Sequence, residues 1–392
     1  MNEVVVVQAK RTPIGSWGGR LSGFSAPELG GMALFELIKQ SGLPPNEVDE
    51  VLLGQVLTAG CGQAPARQAA LKGGLPNRTP STGVNKVCAS GMKAVMLATD
   101  QIRAGQANCI IAGGMESMSR VPYYLPKERF GARLGHSEAL DGILKDGLWD
   151  VYNDYHMGCA AELCAREKKI SRERQDQYAI RSYKRAQEAI EKGWFNEETI
   201  RIKIRERGKE PYMMEHDEEP GRVRFDKVPL LKPAFENEGS VTAANASTLS
   251  DGAAGLLLMS KDRAASLGLA PIAKILSHAS TAREPEWFTT APADAIPAAL
   301  KRAGASTTDI DLYEINEAFS VVALANMDLL DLSPEIVNIQ GGAVSLGHPI
   351  GCSGARILVT LLHALARTGG NLGCAAVCNG GGGASAMVVE RM

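Results

Sequence analysis

The chain has 392 residues, 45% hydrophobic and only 5% aromatic, with a formal net charge of -2. That length accommodates two or three domains with large cores, and the near-neutral charge excludes a broad electrostatic pull toward nucleic acid or an anionic membrane. No apolar run reads as a membrane span, and the opening residues lack the parts of a secretory signal, so a cytoplasmic protein without membrane or nucleic-acid partners is expected. Eight cysteines are present; several lie in apolar or helical stretches, and a chain this long needs no staples, so free thiols are expected. No paired Cys/His cluster accompanies them, which argues against zinc.

The chain opens on a strand, Val4-Val5-Val6-Val7. Further on, Ser81 to Val87 reads as strand-like, and Met92, Val95, Met96, Thr99 and Ile102 then recur at helical spacing. Cys88 therefore falls at a helix N-terminus, where unpaired N–H groups and the macrodipole favour an anion and ease loss of a thiol proton. Taken alone, Cys88 fits better the commoner role of a free cysteine, a small buried residue. From about Ser119 to Val241 charged residues crowd in and periodicity weakens, except over Arg172 to Lys192. That stretch reads as an amphipathic helix with Tyr178, Ala179, Tyr183, Ala186 and Ile190 on one side. The run Arg201 to Arg224 reads as a solvated face.

The C-terminal third carries three further segments. Asn316-Glu317-Ala318-Phe319 follows a strand over Leu312 to Ile315; a Gly-rich turn, Gly341 to Gly351, holds His348; and Cys378-Asn379-Gly380-Gly381-Gly382-Gly383 closes an apolar strand over Ala375 to Val377. Four consecutive glycines cost conformational entropy, which makes sense where backbone N–H groups approach a ligand. A Cys and a His distant in sequence can meet as nucleophile and base, and a second Cys suggests a second proton transfer. Each residue also has a plain alternative: His348 as a loop histidine bonded to backbone, Asn316 as a helix cap, Cys378 as core. There is an internal echo as well. Cys88-Ala89-Ser90-Gly91 opens a helix followed by the strand at Cys109 and a Gly pair, and Cys352-Ser353-Gly354 opens a helix followed by the strand at Ala375 and its glycines. This predicts two similar α/β halves from a duplication.

Asn85-Lys86-Val87-Cys88-Ala89-Ser90-Gly91-Met92-Lys93, Ala112-Gly113-Gly114-Met115-Glu116-Ser117-Met118, His156-Met157-Gly158, Asn245-Ala246-Ser247 and the three C-terminal segments occur in one order along the chain. In that order the sequence resembles the thiolase family, most closely its short-chain acetyl-CoA C-acetyltransferases. The resemblance implies duplicated α/β halves in a five-layer α-β-α-β-α core with an inserted loop domain. The expected division is 1–118 (completed by 249–269), 119–248 as the loop domain that holds coenzyme A, and 270–392. The implied activity is the reversible condensation of two acetyl-CoA to acetoacetyl-CoA and CoA through an acetyl-Cys88 intermediate. The alternative is a 3-ketoacyl-CoA thiolase acting on longer chains.

The resemblance also assigns roles. Cys88 is the nucleophile, His348 takes its proton, and Cys378 removes the α-proton of the second acetyl group. One oxyanion site uses His348 and a water held by Asn316; the other uses the N–H groups of Cys88 and Gly380. His156, Met157, Phe235 and Phe319 close a short acyl pocket, Ser247 contacts pantetheine, and Arg222, Val223, Arg224 and Lys227 form a coenzyme A strip. Close relatives can carry an acidic residue in place of Arg224. Tyr183, Ala243, Ala244, Ala246 and Val344 match a potassium site, most of it backbone carbonyl. No cofactor is required for the chemistry beyond coenzyme A as substrate and product, and a homo-oligomer, a tetramer over a dimer, is implied.

Overall fold

The computed structural model describes residues 2–392. In the first half, β1 (Val4–Arg11) is followed by α1 (Ala26–Ser41), β2 (Glu50–Gly54), α2 (Pro65–Lys72), β3 (Ser81–Val84), α3 (Ser90–Arg103) and β4 (Cys109–Ser117). An inserted stretch then carries α4 (Met157–Glu167) and α5 (Arg172–Glu191), after which β5 (Ser250–Ser260) returns to pair antiparallel with both β1 and β4. The second half repeats the plan: β6 (Ala273–Ala282), α6 (Pro292–Ala303), β7 (Leu312–Ile315), α7 (Ser320–Leu330), α8 (Ile350–Thr368), β8 (Leu372–Asn379) and β9 (Gly383–Arg391).

The strand order is β7-β8-β9-β6-β1-β5-β4-β2-β3. Each half has the same pairing logic: β2 runs parallel to β4 as β7 does to β8, and β4 opposes β5 as β8 opposes β9. Even the outer strand β3 has a counterpart, a parallel bridge from Tyr313 to Val337. Among the described residues the two halves pair in the sheet through Val5–Lys274 and Val6–Ala273, extended by the Ile272 N–H to the Val6 carbonyl, so the sheet is two layers joined at a seam. Between them lie α3 and α8, whose Met92, Val95, Leu358 and Leu361 share one core with inward residues of both halves. Outside the first half sit α1 and α2, with Leu29, Leu34 and Ala69 in a second core; outside the second sit α6 and α7, with Ile296 and Val322 in a third. The result is the five-layer α-β-α-β-α arrangement.

This layering accounts for the composition. β4 and β5 are buried along their whole lengths because helices cover both faces. α8 is long and apolar enough to cross a membrane, yet most of it is buried inside the protein. It corrects the reading that no stretch reaches spanning length, and its apolarity is that of a central core helix. Each large apolar side chain buried from α3 and α8 contributes roughly 1.5–3 kcal/mol.

The expected helix over Arg172 to Lys192 forms as α5, its first turn capped by the Ser171 hydroxyl accepting from the Arg174 N–H at 3.3 Å. The charged run after it is mostly solvent-facing, with one exception that the sequence reading missed. Asp217 is buried and takes a bidentate pair from Arg11 at 2.7 and 2.9 Å, while Arg11 also donates to Glu198 at 2.5 Å. This fully buried cluster pins the inserted stretch to β1. All eight cysteines are free.

Candidate active site

The turn before α3 is tight. Val87 has φ of 48°, a conformation that costs a β-branched residue on the order of 1–3 kcal/mol. Its surroundings hold it there. The Lys86 N–H donates to the Ser90 hydroxyl at 2.8 Å, and that hydroxyl donates to the Val87 carbonyl at 2.5 Å. The Lys86 ammonium crosses to the second half, donating to Ser385 at 2.8 Å and Ser280 at 3.0 Å. Cys88 is thereby presented at the end of α3, half-buried, on a cavity of about 510 Å³.

The cavity also exposes His348, Gly380, His156, Met157, Phe235, Phe319, Ser247 and Arg222. Residues from 88 to 380 thus converge on one pocket. At one side His156 stacks on Phe235, centroids 4.7 Å apart, and Phe319 meets Phe235 edge-on at 6.0 Å. His156 is fixed as the cap of α4, its Nδ1 accepting from the Gly158 N–H at 2.9 Å. Met157 completes this wall and is 8% exposed.

The thiol environment differs from the simple helix-terminus expectation. Burial pushes the Cys88 thiol up to about 12, although the N–H groups of Gly380 and of Cys88 itself face the sulfur and pull the other way; the buried Glu116 carboxylate opposes ionisation further. Desolvation outweighs the helix terminus here, so the resting group is a thiol. His348 is equally constrained. Burial, and then the positive charge of Arg356, pushes it down to about 3, which leaves a neutral imidazole. Its Nδ1 lies 2.6 Å from the Ser353 hydroxyl, while Nε2 is buried with no partner. Ser353 also reaches the Pro349 carbonyl at 3.0 Å, so its single proton has two acceptors. With the proton on Pro349, Nδ1 carries hydrogen and Nε2 is a base; with it on Nδ1, Nε2–H is a donor.

Cys378 and Asn316 lie just behind the cavity wall and are both buried. Burial, then the neighbouring Cys88, raises the Cys378 thiol well above its ordinary value. The Asn316 amide leaves both its nitrogen and its oxygen without a protein partner. It is no helix cap: α7 begins at Ser320 with Phe319 at the cap position. A buried amide with both ends free is suited to holding an ordered water.

The glycine run brings the Gly380 N–H to the Cys88 sulfur. A side chain at Gly380 would meet only ordinary contacts, the nearest at 3.5 Å from Val87. The strict requirement falls two residues on, at Gly382, where φ is 82° and a Cβ would lie 2.3 Å from the Arg283 carbonyl.

Of the remaining predicted residues, Arg224 and Lys227 project into solvent, each within 4.0 Å of Asp226, at 3.7 and 3.9 Å. Val223 packs against a small cluster of Ala179, Tyr183 and Val344. Ala243 and Ala246 reach the cavity, whereas Ala244 is buried behind it. Ser353 and Glu116 were not foreseen as site residues; Ser353 lies in the first turn of α8, one turn past its cap Pro349.

Comparison with known proteins decides the family. Residues 4–262 match the thiolase N-terminal domain and residues 269–391 the thiolase C-terminal domain. This chain belongs to the thiolase family. Acetyl-CoA acetyltransferase 2 of Arabidopsis thaliana is 53% identical over 392 residues, covering 100% of this chain and 97% of the relative. The mitochondrial acetyl-CoA acetyltransferase of Bos taurus is 52% identical over 393 residues, covering 100% and 92%. Among solved structures, the Acat5 thiolase of Ascaris suum in complex with coenzyme A superposes with a TM-score of 0.94 at 42% identity, covering all of both chains.

Proposed function

We propose that this thiolase is an acetyl-CoA C-acetyltransferase that joins two acetyl-CoA into acetoacetyl-CoA and CoA, reversibly, with Cys88 carrying the first acetyl group. The carrying observation is a cysteine faced by two backbone N–H groups, on the same cavity as an imidazole whose Nε2 is free. Neutral thiol and neutral imidazole are the resting pair. The Cys88 proton passes to Nε2 of His348 as sulfur attacks the acetyl carbonyl; the oxyanion is met by the N–H groups of Cys88 and Gly380. Collapse expels the CoA thiolate, which takes the proton back, and Cys88 is left as a thioester.

The second step uses Cys378. Burial, and then the neighbouring Cys88, keep Cys378 a thiol in the free enzyme. Nε2 of His348 takes the Cys378 proton, and the resulting thiolate removes the α-proton of the second acetyl-CoA. The enolate oxygen is held by Nε2–H of His348 and by a water on Asn316, and its carbon attacks the acetyl-Cys88 carbonyl. Cys88 departs as a thiolate and takes the proton held on Nε2 of His348, while Cys378 keeps the α-proton, so all three groups end as they began. The aromatic and Met157 wall limits the acyl group to acetyl or a methyl-branched relative.

For coenzyme A, Arg222 at the cavity mouth and Lys227 are placed to meet phosphates, Val223 and Ser247 to line the pantetheine path, and Arg224, beside Asp226, to contribute least. Tyr183 with the carbonyls of Ala243, Ala244, Ala246 and Val344 is an oxygen-only set of the kind potassium accepts; burial keeps the phenol neutral, and a potassium-dependent rise in Tm tests it. We divide the chain at 1–118 with 249–269, 119–248 and 270–392. A homotetramer is supported by the apolar Phe130 and Leu134, exposed on the inserted stretch; sedimentation tests it. A cytoplasmic location is tested by fractionation, since the bovine relative carries a mitochondrial name.

The deciding assay is cleavage of acetoacetyl-CoA with CoA by the purified chain, beside an eight-carbon 3-ketoacyl-CoA. A steep preference for the short substrate supports this reading; equal kcat/KM for both favours the longer-chain thiolase.

A further inference from the structure

The His348 turn is gripped at both ends by a buried carboxylate. At one end, Glu317 accepts from the Val344 N–H at 3.1 Å, the Ser182 hydroxyl at 2.8 Å, the Tyr178 hydroxyl at 2.7 Å and the Asn338 amide at 2.9 Å. At the other, Glu116 accepts from the Gly351 N–H at 3.0 Å, Val56 at 3.0 Å and Leu57 at 3.2 Å. Both glutamates are 0% exposed. Both also occupy space that a neighbouring residue has vacated. A Cβ on Gly342 would lie 2.4–2.7 Å from the Glu317 carboxylate, and one on Gly351 would lie 2.7 Å from Glu116 Oε2.

The two grips come from different parts of the molecule. Glu116 ends β4 of the first half, whereas Glu317 follows β7 of the second and reaches α5 of the inserted stretch. Between the grips, His348 has one backbone tie, its N–H to the Thr248 carbonyl at 3.0 Å, and one side-chain tie, to Ser353. The position of Nε2 relative to Cys88 is therefore set by where residues 344 and 351 are held.

We infer that Glu116 and Glu317 are positioning residues, a two-point clamp that fixes the His348 turn against the Cys88 turn. Neither touches substrate; each acts through the backbone of the turn. The inference rests on the thiolase reading. A displacement of a catalytic base by an ångström costs about 10²-fold in rate, and a carboxylate replaced by an amide turns one acceptor into a donor facing an N–H.

The test is steady-state cleavage of acetoacetyl-CoA by the full chain and its E116Q and E317Q variants, each assayed well below its own Tm. Both should lose about 10- to 100-fold in kcat with KM nearly unchanged, and acetylation of Cys88 in a single turnover should slow by the same factor. If a Gln variant does not fold, E116D or E317D, which keep the charge on a shorter arm, must show the same split. Folded variants with wild-type kcat, beside an active wild type, overturn the clamp alone. So does a loss that appears only in Tm or only in KM. An inactive wild-type chain overturns the thiolase reading itself and the clamp with it.

Discussion

The two halves share one topology and contribute unlike chemistry. In the first, the central helix α3 starts from a strained turn that presents Cys88; in the second, the equivalent α8 starts behind the turn that holds His348. The strand after each central helix ends differently too. β8 ends in Cys378 and the glycines, a buried thiol followed by the Gly380 N–H that faces the Cys88 sulfur, while β4 ends in Glu116, a carboxylate spent on backbone N–H groups. The repeated plan places two helix starts and two strand ends near one cavity, and only the second half fills both of its positions with residues that we propose carry protons. In the proposed function a symmetric fold thus supports an asymmetric division of labour, with the nucleophile from one half and the proton carriers from the other.

That asymmetry can be broken one residue at a time. Substituting His348 by Ala should impair both half-reactions, by about 10²–10⁴-fold, as loss of a general acid-base does. Substituting Cys378 by Ala should spare acetyl transfer to Cys88 and abolish exchange of the acetyl-CoA methyl protons in heavy water. Exchange at the wild-type rate in that variant would remove Cys378 from the role of base.

The acyl wall is next in size. Accepting added methylenes against Met157, Phe235 and Phe319 involves overpacking of ~1–3 kcal/mol, roughly a 5- to 150-fold preference for the four-carbon substrate. Met157→Ala should shrink that preference, measured as kcat/KM across acyl lengths, whereas an unchanged preference would place the limit elsewhere in the wall.

A smaller effect belongs to Ser353. Ser353→Ala removes the partner of His348 Nδ1 and leaves the tautomer unfixed, which should lower kcat about 10-fold, the equivalent of one hydrogen bond of ~1.4 kcal/mol. Unlike loss of His348, it should leave measurable proton exchange.

The last sharpening is thermodynamic. His348 has its folded pKa depressed to about 3 from 6.5. Above 6.5 both folded and unfolded chains carry it neutral, and its full contribution is present. As pH falls from 6.5 toward 3 the unfolded chain binds a proton that the folded site refuses, so stability falls, by at most about 1.4 kcal/mol per pH unit from this group. Tm followed across that window should decline less steeply in His348→Asn than in the wild type; identical slopes would show that His348 titrates normally in the fold.

Much of this was legible in the sequence because it is local. The helical spacing after Cys88, the strand before Asn316 and the echo between residues 88–114 and 352–383 predicted the duplicated halves from periodicity and small residues alone. Cys88, His348 and Cys378 could be proposed as nucleophile, base and second thiol through resemblance. What stayed hidden depends on packing between distant segments. The depth of the cavity sets the ionisation of Cys88 against the trend its helix position suggested. The Arg11–Asp217 pair joins residues 206 positions apart, inside a run whose composition reads as solvated. Gly382, not Gly380, proved to be the sterically required glycine, because its neighbour is the Arg283 carbonyl from another strand end. Glu116 and Glu317 looked like ordinary charged residues beside more telling motif members, and only burial reveals what they hold.

The central claim is that the first half supplies the only covalent carrier. Incubating the purified chain with acetyl-CoA alone and locating the added mass by peptide mass spectrometry tests it most directly. The account predicts one acetyl group per chain, on Cys88, formed also by Cys378→Ala and lost in Cys88→Ser. An acetyl group found on Cys378 or another cysteine, or full turnover by Cys88→Ser, would contradict it.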